Sequence, residues 1–150
     1  MSHANPELVF ELLPEHRIVV LCEGRGEPST QEWDGYLGLL RQQLRSGGLR
    51  VFVYSAGGRP SRAQQQQLMQ LTGDHDVQVA VVSASMALRF VVSVFALIHR
   101  DIRLFTPAQL NQALAHIRCS ADEAAAVCAA VERSKRVLEV RQSASGESRV

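Results

Sequence analysis

An almost uninterrupted apolar run, VQVAVVS, covers residues 77–83. A strand with one face in water alternates apolar and polar residues, whereas a strand of a parallel sheet covered by helices on both faces is apolar nearly throughout. The run is also rich in valine, which favours extended structure. It therefore predicts a strand that is covered on both sides, and it assigns the chain to the α/β class.

Four further segments have the composition of strands. Leu8 to Leu13 and Arg17 to Gly24 are apolar runs on either side of the turn-like Pro14-Glu15-His16, which predicts a β-hairpin. Leu49 to Ser55 and Ile102 to Phe105 complete the set. The sheet is therefore expected to be mixed, antiparallel at the hairpin and parallel where right-handed crossovers join the later strands.

Capping boxes predict where several helices begin. In each box a Ser or Thr is followed three residues later by Glu or Gln, so that two free backbone N–H groups are satisfied reciprocally. The pairs are Ser29 with Glu32, Ser61 with Gln64, and Thr106 with Gln109. Two more helices are expected, over the very apolar segment Met86 to His99 and over Asp122 to Val140. The predicted architecture is a β-hairpin followed by βα units, with a five-stranded mixed sheet and four to five helices.

Length and charge place limits on organisation and partners. A chain of 150 residues is the size of one domain, and we expect a flexible leader over residues 1–7 and a domain over 8–140. Residues 141–150 have almost no apolar content, which predicts a disordered tail. The formal net charge of +1 provides no field strong enough to attract nucleic acid.

No pattern of catalytic or metal-binding residues is apparent. The three cysteines have no CxxC spacing, the five histidines are scattered with no pair at i, i+4, and neither GxSxG nor GxxxxGK[ST] occurs. We therefore predict a non-enzymatic protein without a metal or a cofactor. The most apolar window is too short for a membrane span, and no signal peptide is visible, so a cytoplasmic location is expected.

The segment VAVVSASMALRFVVSVFALIHRDIRLFTPAQLNQALAHI, residues 79–117, resembles the last strand-helix-strand-helix of the STAS domain. More specifically, the chain looks like the STAS and SEC14-like regulatory proteins of bacteria. The order of elements extends the similarity over residues 8–117. The resemblance implies a signalling module that binds a protein partner. Antagonists of the phospho-switch type carry an Asp-x-Ser here, but this chain reads VYSAGGRPSRAQ, with Ser55 and Ser61 and no aspartate.

Polar residues at the carboxyl edge of the predicted sheet form a candidate phosphorylation or anion site. Hydroxyls and arginines around helix N-termini can bind a phosphate or a carboxylate. The alternative is that the hydroxyls are simply helix caps, which are commonly Ser or Thr. The candidate residues are Arg25, Ser55, Arg59, Ser61, Arg62, Ser83 and Ser85.

The apolar residues of Met86 to His99 spread around most of a helix instead of forming one stripe. Either the last helix covers the surplus, or it forms the interface with a protein partner or in a homodimer. The predicted interface residues are Met86, Leu88, Arg89, Val92 and Phe95. Two functions follow: a STAS-like regulatory interaction module, or a sensor of an anionic metabolite or nucleotide at the strand ends.

Overall fold

The computed structural model describes residues 7–73, 75–85, 88, 92 and 101–147. Five strands lie in one sheet, and the structure describes four α-helices in full. The strands are β1 (Leu8–Leu13), β2 (Ile18–Glu23), β3 (Leu49–Ser55), β4 (Val77–Val82) and β5 (Ile102–Phe105). The helices are α1 (Thr30–Leu44), α2 (Arg62–Thr72), α3 (Leu110–His116) and α4 (Ala121–Glu147).

The strands lie in the sheet in the order of the sequence, from β1 to β5. β1 pairs with β2 in antiparallel register, and every later pair is parallel. The hairpin turn is closed by a hydrogen bond from the backbone N–H of His16 to the carbonyl of Leu13, 3.2 Å. The predicted α/β class and five-stranded mixed sheet are confirmed.

Strand periodicity divides the core into two layers. Alternate side chains of β2, β3 and β4 face α1 and α2, where Trp33 and Leu40 are almost fully buried. The intervening side chains, such as Phe52 and Val82, face α3 and α4 on the other side of the sheet. Both faces of the central strands are therefore covered, as the continuous apolar run in β4 predicts.

Helix α1 is connected to the hairpin through its capping box. Ser29 Oγ accepts from the Glu32 N–H at 3.1 Å, and Glu32 Oε1 accepts from the Ser29 N–H at 2.8 Å. The second carboxylate oxygen of Glu32 accepts from the backbone N–H groups of Glu7 and Leu8. The Glu32 side chain therefore both caps the N-terminus of α1 and binds the backbone at the start of β1.

Two boundaries differ from the prediction. Thr106 and Gln109 form the expected capping box, but residues 107–109 are a 3₁₀ turn and α3 starts only at Leu110. The last helix continues to Glu147, whereas a disordered tail is expected from Arg141. Four of the seven added residues, RQSASGE, are the good helix formers Arg, Gln, Ala and Glu, and adding residues to an existing helix is far easier than starting one, which accounts for the extension past two serines and a glycine.

Candidate functional site

The carboxyl ends of β2, β3 and β4 bring two of the predicted site residues into contact. Ser83 Oγ donates to the backbone carbonyl of Ser55 at 2.8 Å, and Ser55 Oγ donates to the carbonyl of Gly58 at 2.7 Å. The two serines are 4% and 2% exposed. Both hydroxyls therefore hold the chain that follows β3, and a kinase would not reach them in this conformation.

Ser61 lies at the N-terminus of α2, and Ser85 precedes the helical residue Leu88. Ser61 Oγ accepts from the Gln64 N–H at 3.2 Å, and Gln64 Oε1 accepts from the Ser61 N–H at 2.8 Å, which completes a capping box. Ser85 Oγ accepts a hydrogen bond from the Leu88 N–H at 3.3 Å. These contacts are those of N-caps, and a phosphorylation or anion-binding role for either serine stays a prediction.

The three predicted arginines are exposed on the loops around this edge. Arg25 and Arg59 flank a close contact between the loops that follow β2 and β3. There the Gly58 N–H donates to the Gly24 carbonyl at 2.8 Å. Arg62 is exposed in the first turn of α2. Their guanidinium groups are accessible, but the described residues show no buried anion-binding pocket among them.

Leu88 and Val92, two of the predicted interface residues, are helical and only 5% and 6% exposed. Both belong to the core layer between the sheet and α1. A partner would reach their side chains only if this layer opened. Met86, Arg89 and Phe95 lie outside the described residues, so the interface stays a prediction.

A cavity of about 100 Å³ lies between the sheet and the α1 and α2 layer, and it is partly open to solvent. Its walls are mostly aliphatic and come from β2 to β5, α1, α2, the loop before α2, and the helical residues Leu88 and Val92. The described lining residues are Leu21, Glu23, Trp33, Tyr36, Leu40, Val51, Val53, Pro60, Leu68, Thr72, Val77, Val79, Val81, Leu88, Val92 and Ile102.

Glu23 is an acidic residue at the carboxyl end of β2, and it belongs to the lining of this cavity. It ends β2, pairs in register with Ser55, and shares the face of Val19 and Leu21 because side chains alternate along a strand. Its side chain is buried, and Oε2 has no hydrogen-bond partner within the described residues. Burial away from water raises the pKa of this carboxyl to about 8, so most molecules carry a neutral Glu23 at pH 7.

Two aromatic residues of α1 complete the polar part of the cavity. Trp33 is 1% exposed, and its indole Nε1 is the second buried polar atom without a partner in the described part of the chain. Its ring packs against Tyr36, with centroids 5.4 Å apart. Burial, and to a smaller extent the nearby Glu23, raises the pKa of the Tyr36 phenol well above its usual range. The residues around the cavity therefore combine apolar walls with a buried carboxyl and a buried indole N–H.

Comparison with protein-family models, curated proteins and solved structures finds no match to this chain. The STAS resemblance thus depends on the segment and the order of elements described above.

No group of three or more His, Cys, Asp or Glu side chains among the described residues is arranged to hold a metal ion. No helix in the same residues combines the length and apolarity that crossing a membrane requires.

Sequence reasoning missed Glu23 and Trp33. Trp33 lies on the buried, apolar side of α1, and that pattern alone gives no sign that its indole N–H lacks a partner. For Glu23 a signal was available, because a strand as apolar as IVVLCE is expected to be covered on both faces, which buries the carboxylate that ends it. A charged residue at an inward strand position is rarely buried without a partner, and such a residue identifies a candidate site.

Proposed function

We propose that this chain is a non-enzymatic sensor domain that binds a small, mostly apolar molecule in the cavity beside Glu23 and Trp33. The observation that carries the proposal is the apolar cavity, whose lining includes two residues, Glu23 and Trp33, that each carry a buried polar atom without a hydrogen-bond partner among the described residues. This differs from the anionic ligand expected from the sequence. An anion in this cavity would lie beside a carboxyl, among aliphatic walls.

Energetics favour a binding role over simple packing. Leaving one buried donor or acceptor unpaired costs about 1–3 kcal/mol, and an apolar side chain at position 23 or 33 would avoid that cost. A ligand that drew these side chains toward the cavity and supplied the missing hydrogen bonds would recover that cost on binding. Apolar pockets with a few convergent polar groups are the usual form of a small-molecule site.

The lining supports binding without catalysis. Glu23 and Tyr36 are the titratable groups among the described lining residues. Thr72, the remaining hydroxyl, donates to the carbonyl of Leu68 at 2.8 Å. Within the described lining there is no nucleophile beside a base, which acyl transfer and most hydrolytic reactions require.

The fluorescence of Trp33 provides a direct test, because the chain has a single tryptophan. We expect toluene and similar monocyclic compounds to change this emission saturably and to raise the melting temperature. A ligand at 100 times its Kd stabilises the folded state by about 2.7 kcal/mol. Phosphates, nucleotides and small carboxylates, the ligands of an anion sensor, should have no effect.

A cavity-filling variant provides the specificity control. Val79 is half-buried and lines the cavity, so Val79→Phe should abolish the response. Val9 is half-buried on the opposite face of the sheet, and Val9→Phe should leave the response intact. The proposal fails if no apolar compound binds, or if both variants respond alike.

A regulatory docking role of the STAS type is a second proposal, and the loop after β3 favours it. Pro60 in this loop lines the cavity, and the Ala56 N–H donates to the carbonyl of Glu23 at 3.0 Å. A bound ligand would therefore contact the loop that carries the exposed Arg59. In the bacterial cytoplasm, the loop would then differ between the free and the ligand-bound protein. A protein partner or a second copy of the chain would bind one of these two forms. Hydrogen exchange of the amides of residues 56–59, 61 and 62 should slow when toluene is bound, and unchanged exchange would oppose this role.

A further inference from the structure

A second cavity, of about 140 Å³, lies on the other face of the sheet from the cavity beside Glu23. It opens where the parallel strands β3 and β4 end, and the turn before α3, the start of α3 and one side of α4 complete its walls. Ligands of open α/β sheets bind outside the carboxyl ends of the strands. The second cavity therefore lies where such a fold is expected to bind a ligand.

The walls of the second cavity are largely apolar and partly accessible. Tyr54, Leu110 and Cys128 are half-buried lining residues. Pro107, which also lines the cavity, is exposed. Each of these four residues presents surface that a ligand can cover, and covering it with an apolar group removes that surface from water, which favours binding.

Two charged side chains lie at the rim of the second cavity, and they are the charged residues of its described lining. Lys135 Nζ lies 4.1 Å from the centroid of the Tyr54 ring and 3.6 Å from Glu132 Oε1. The side chains of Lys135 and Glu132 are 32% and 60% exposed. Unlike the buried carboxyl of Glu23, both charges are therefore accessible to a ligand, and they lie side by side next to apolar walls.

We propose that the second cavity binds a small apolar α-amino acid, whose carboxylate pairs with Lys135, whose ammonium pairs with Glu132, and whose side chain covers the apolar walls. An α-amino acid carries its two charged groups on one carbon atom, which matches a cation and an anion that lie 3.6 Å apart. This site is separate from the cavity of the proposed sensor function and goes beyond that function.

The protein leaves both charges available to a ligand. The ion pair between Lys135 and Glu132 is long and exposed, and pairs of this kind contribute little to stability, so a ligand can replace it at small cost. The Tyr54 ring attracts the Lys135 ammonium through its π face, which holds the charge beside the cavity.

Ligands with a single charge match the rim less well. A carboxylate would pair with Lys135 but would lie close to the like charge of Glu132. An ammonium would pair with Glu132 but would be repelled by Lys135. A zwitterion makes both attractions, because each of its charged groups can lie next to the protein group of opposite sign.

The size of the second cavity limits the side chain of the amino acid. A dry cavity of about 150 Å³ accommodates benzene, and this cavity is about 140 Å³ and partly open to solvent. The four-carbon side chain of leucine is smaller than benzene and therefore fits, with the charged groups at the rim. The fused rings of tryptophan would extend into solvent.

Leucine and two analogues form a matched set of probes. 4-Methylpentanoate lacks only the amino group of leucine, and 3-methylbutylamine lacks only the carboxylate. Titration of the intact chain at pH 7, followed by ligand-detected NMR, should give leucine a Kd about 5-fold lower than that of either analogue, because each analogue loses one exposed ion pair. Glycine, which has no side chain, should bind more weakly than leucine. Absence of leucine binding, or equal affinity for leucine and either analogue, overturns the inference.

Glu132→Gln and Lys135→Gln test the two charges separately, and both positions are accessible to solvent, so we expect the variants to fold. Glu132→Gln should raise the Kd of leucine about 5-fold and should not raise that of 4-methylpentanoate, which has no ammonium. Lys135→Gln should raise the Kd of both carboxylates and not that of 3-methylbutylamine. Glu139→Gln, exposed on α4 and outside the lining, is the control and should change none of the three. Equal effects of Glu132→Gln on leucine and 4-methylpentanoate contradict the inference.

The two cavities can be tested independently. Val79→Phe, which fills the cavity beside Glu23, should leave leucine binding intact, and Glu132→Gln should leave the response to toluene intact. Loss of leucine binding in folded Val79→Phe would place the amino acid in the other cavity and overturn the inference. If leucine does not bind but toluene does, the amino-acid site is wrong while the proposed sensor function still holds.

Discussion

Arg50 in β3 and Glu123 in the first turn of α4 form two parallel hydrogen bonds, Nη1 to Oε1 at 3.1 Å and Nη2 to Oε2 at 2.6 Å. Arg50 also donates to the backbone carbonyl of His16 at 2.8 Å in the hairpin turn. Glu123 in turn accepts from the backbone N–H of Ser120, as in a capping box. One ion pair therefore joins the hairpin, the sheet and the last helix.

Removing the charge of Glu123 should destabilise the protein at neutral pH. Hydrogen bonding to Arg50 and to the Ser120 N–H lowers the pKa of Glu123 to about 2. A depressed folded pKa contributes stability above the ordinary value of 4.5, and this stability is lost as the pH falls toward 2. Because the pair is partly solvated, we expect Glu123→Gln to cost about 1 kcal/mol at pH 7, measured by urea unfolding.

The difference between wild type and Glu123→Gln should shrink between pH 4.5 and pH 2. Glu132→Gln is the matched control, because its ion pair with Lys135 is longer, 3.6 Å, and the Glu132 side chain is 60% exposed. That change should be nearly neutral. Equal costs for the two variants would contradict a structural role for the Arg50–Glu123 pair.

Glu23 should make stability depend on pH in the opposite direction. Its folded pKa is raised from 4.5 to about 8 by burial, so the folded state retains a proton that the unfolded state loses. Stability should therefore decrease from about pH 4.5 to pH 8, with a slope approaching about 1.4 kcal/mol per pH unit. Glu23→Gln should remove this slope, and the stability of the variant relative to wild type should increase as the pH rises.

Urea unfolding at several pH values between 5 and 9 measures the effect. Glu27→Gln, at an exposed position in the next loop, is the control and should keep the wild-type slope. A wild-type profile parallel to that of Glu23→Gln would show that the carboxyl finds a partner or water in solution.

The sheet was predictable from sequence because its signals are local. The valine-rich run of β4, the apolar strands of the hairpin and the capping boxes at Ser29 and Ser61 each specify an element without reference to the rest of the chain. The cavity was not predictable in the same way. It exists because α1, α2 and four strands leave space between them, and the partners of Glu23 and Trp33 are set by that packing.

Variants of Ser61 test whether this residue acts as a helix cap. As an N-cap, its hydroxyl accepts from the Gln64 N–H, so Ser61→Ala should cost about 1 kcal/mol of stability. Ser61→Asp should keep most of that stability, because Asp is also a good N-cap and favours a helix N-terminus. Ser46→Ala, at an exposed turn position, is the control. Denaturant unfolding measures all three, and no loss in Ser61→Ala would contradict the capping role.

Gly58 has no space for a side chain. A Cβ built on it would lie 2.4 Å from the Gly26 carbonyl oxygen and 2.6 Å from that of Gly24. Backbone must therefore move to accommodate even alanine, and the hydrogen bond from the Gly58 N–H to Gly24 would be strained. We expect Gly58→Ala to destabilise the fold by about 3 kcal/mol, toward the upper end of overpacking costs.

Gly38→Ala is the contrasting variant, because a Cβ there meets nothing within 4 Å. Gly38 lies within α1, where alanine is the better helix former, so this change should stabilise the protein by about 0.5–1 kcal/mol. Thermal unfolding of the two variants should therefore move in opposite directions. In Gly58→Ala the amides of Ala56 and Gly58 should also exchange faster, because both donate to the chain around the end of β2. Unchanged stability and exchange in Gly58→Ala would show that the loops after β2 and β3 lie further apart in solution, and the cavity bordered by Pro60 would then be wider than described.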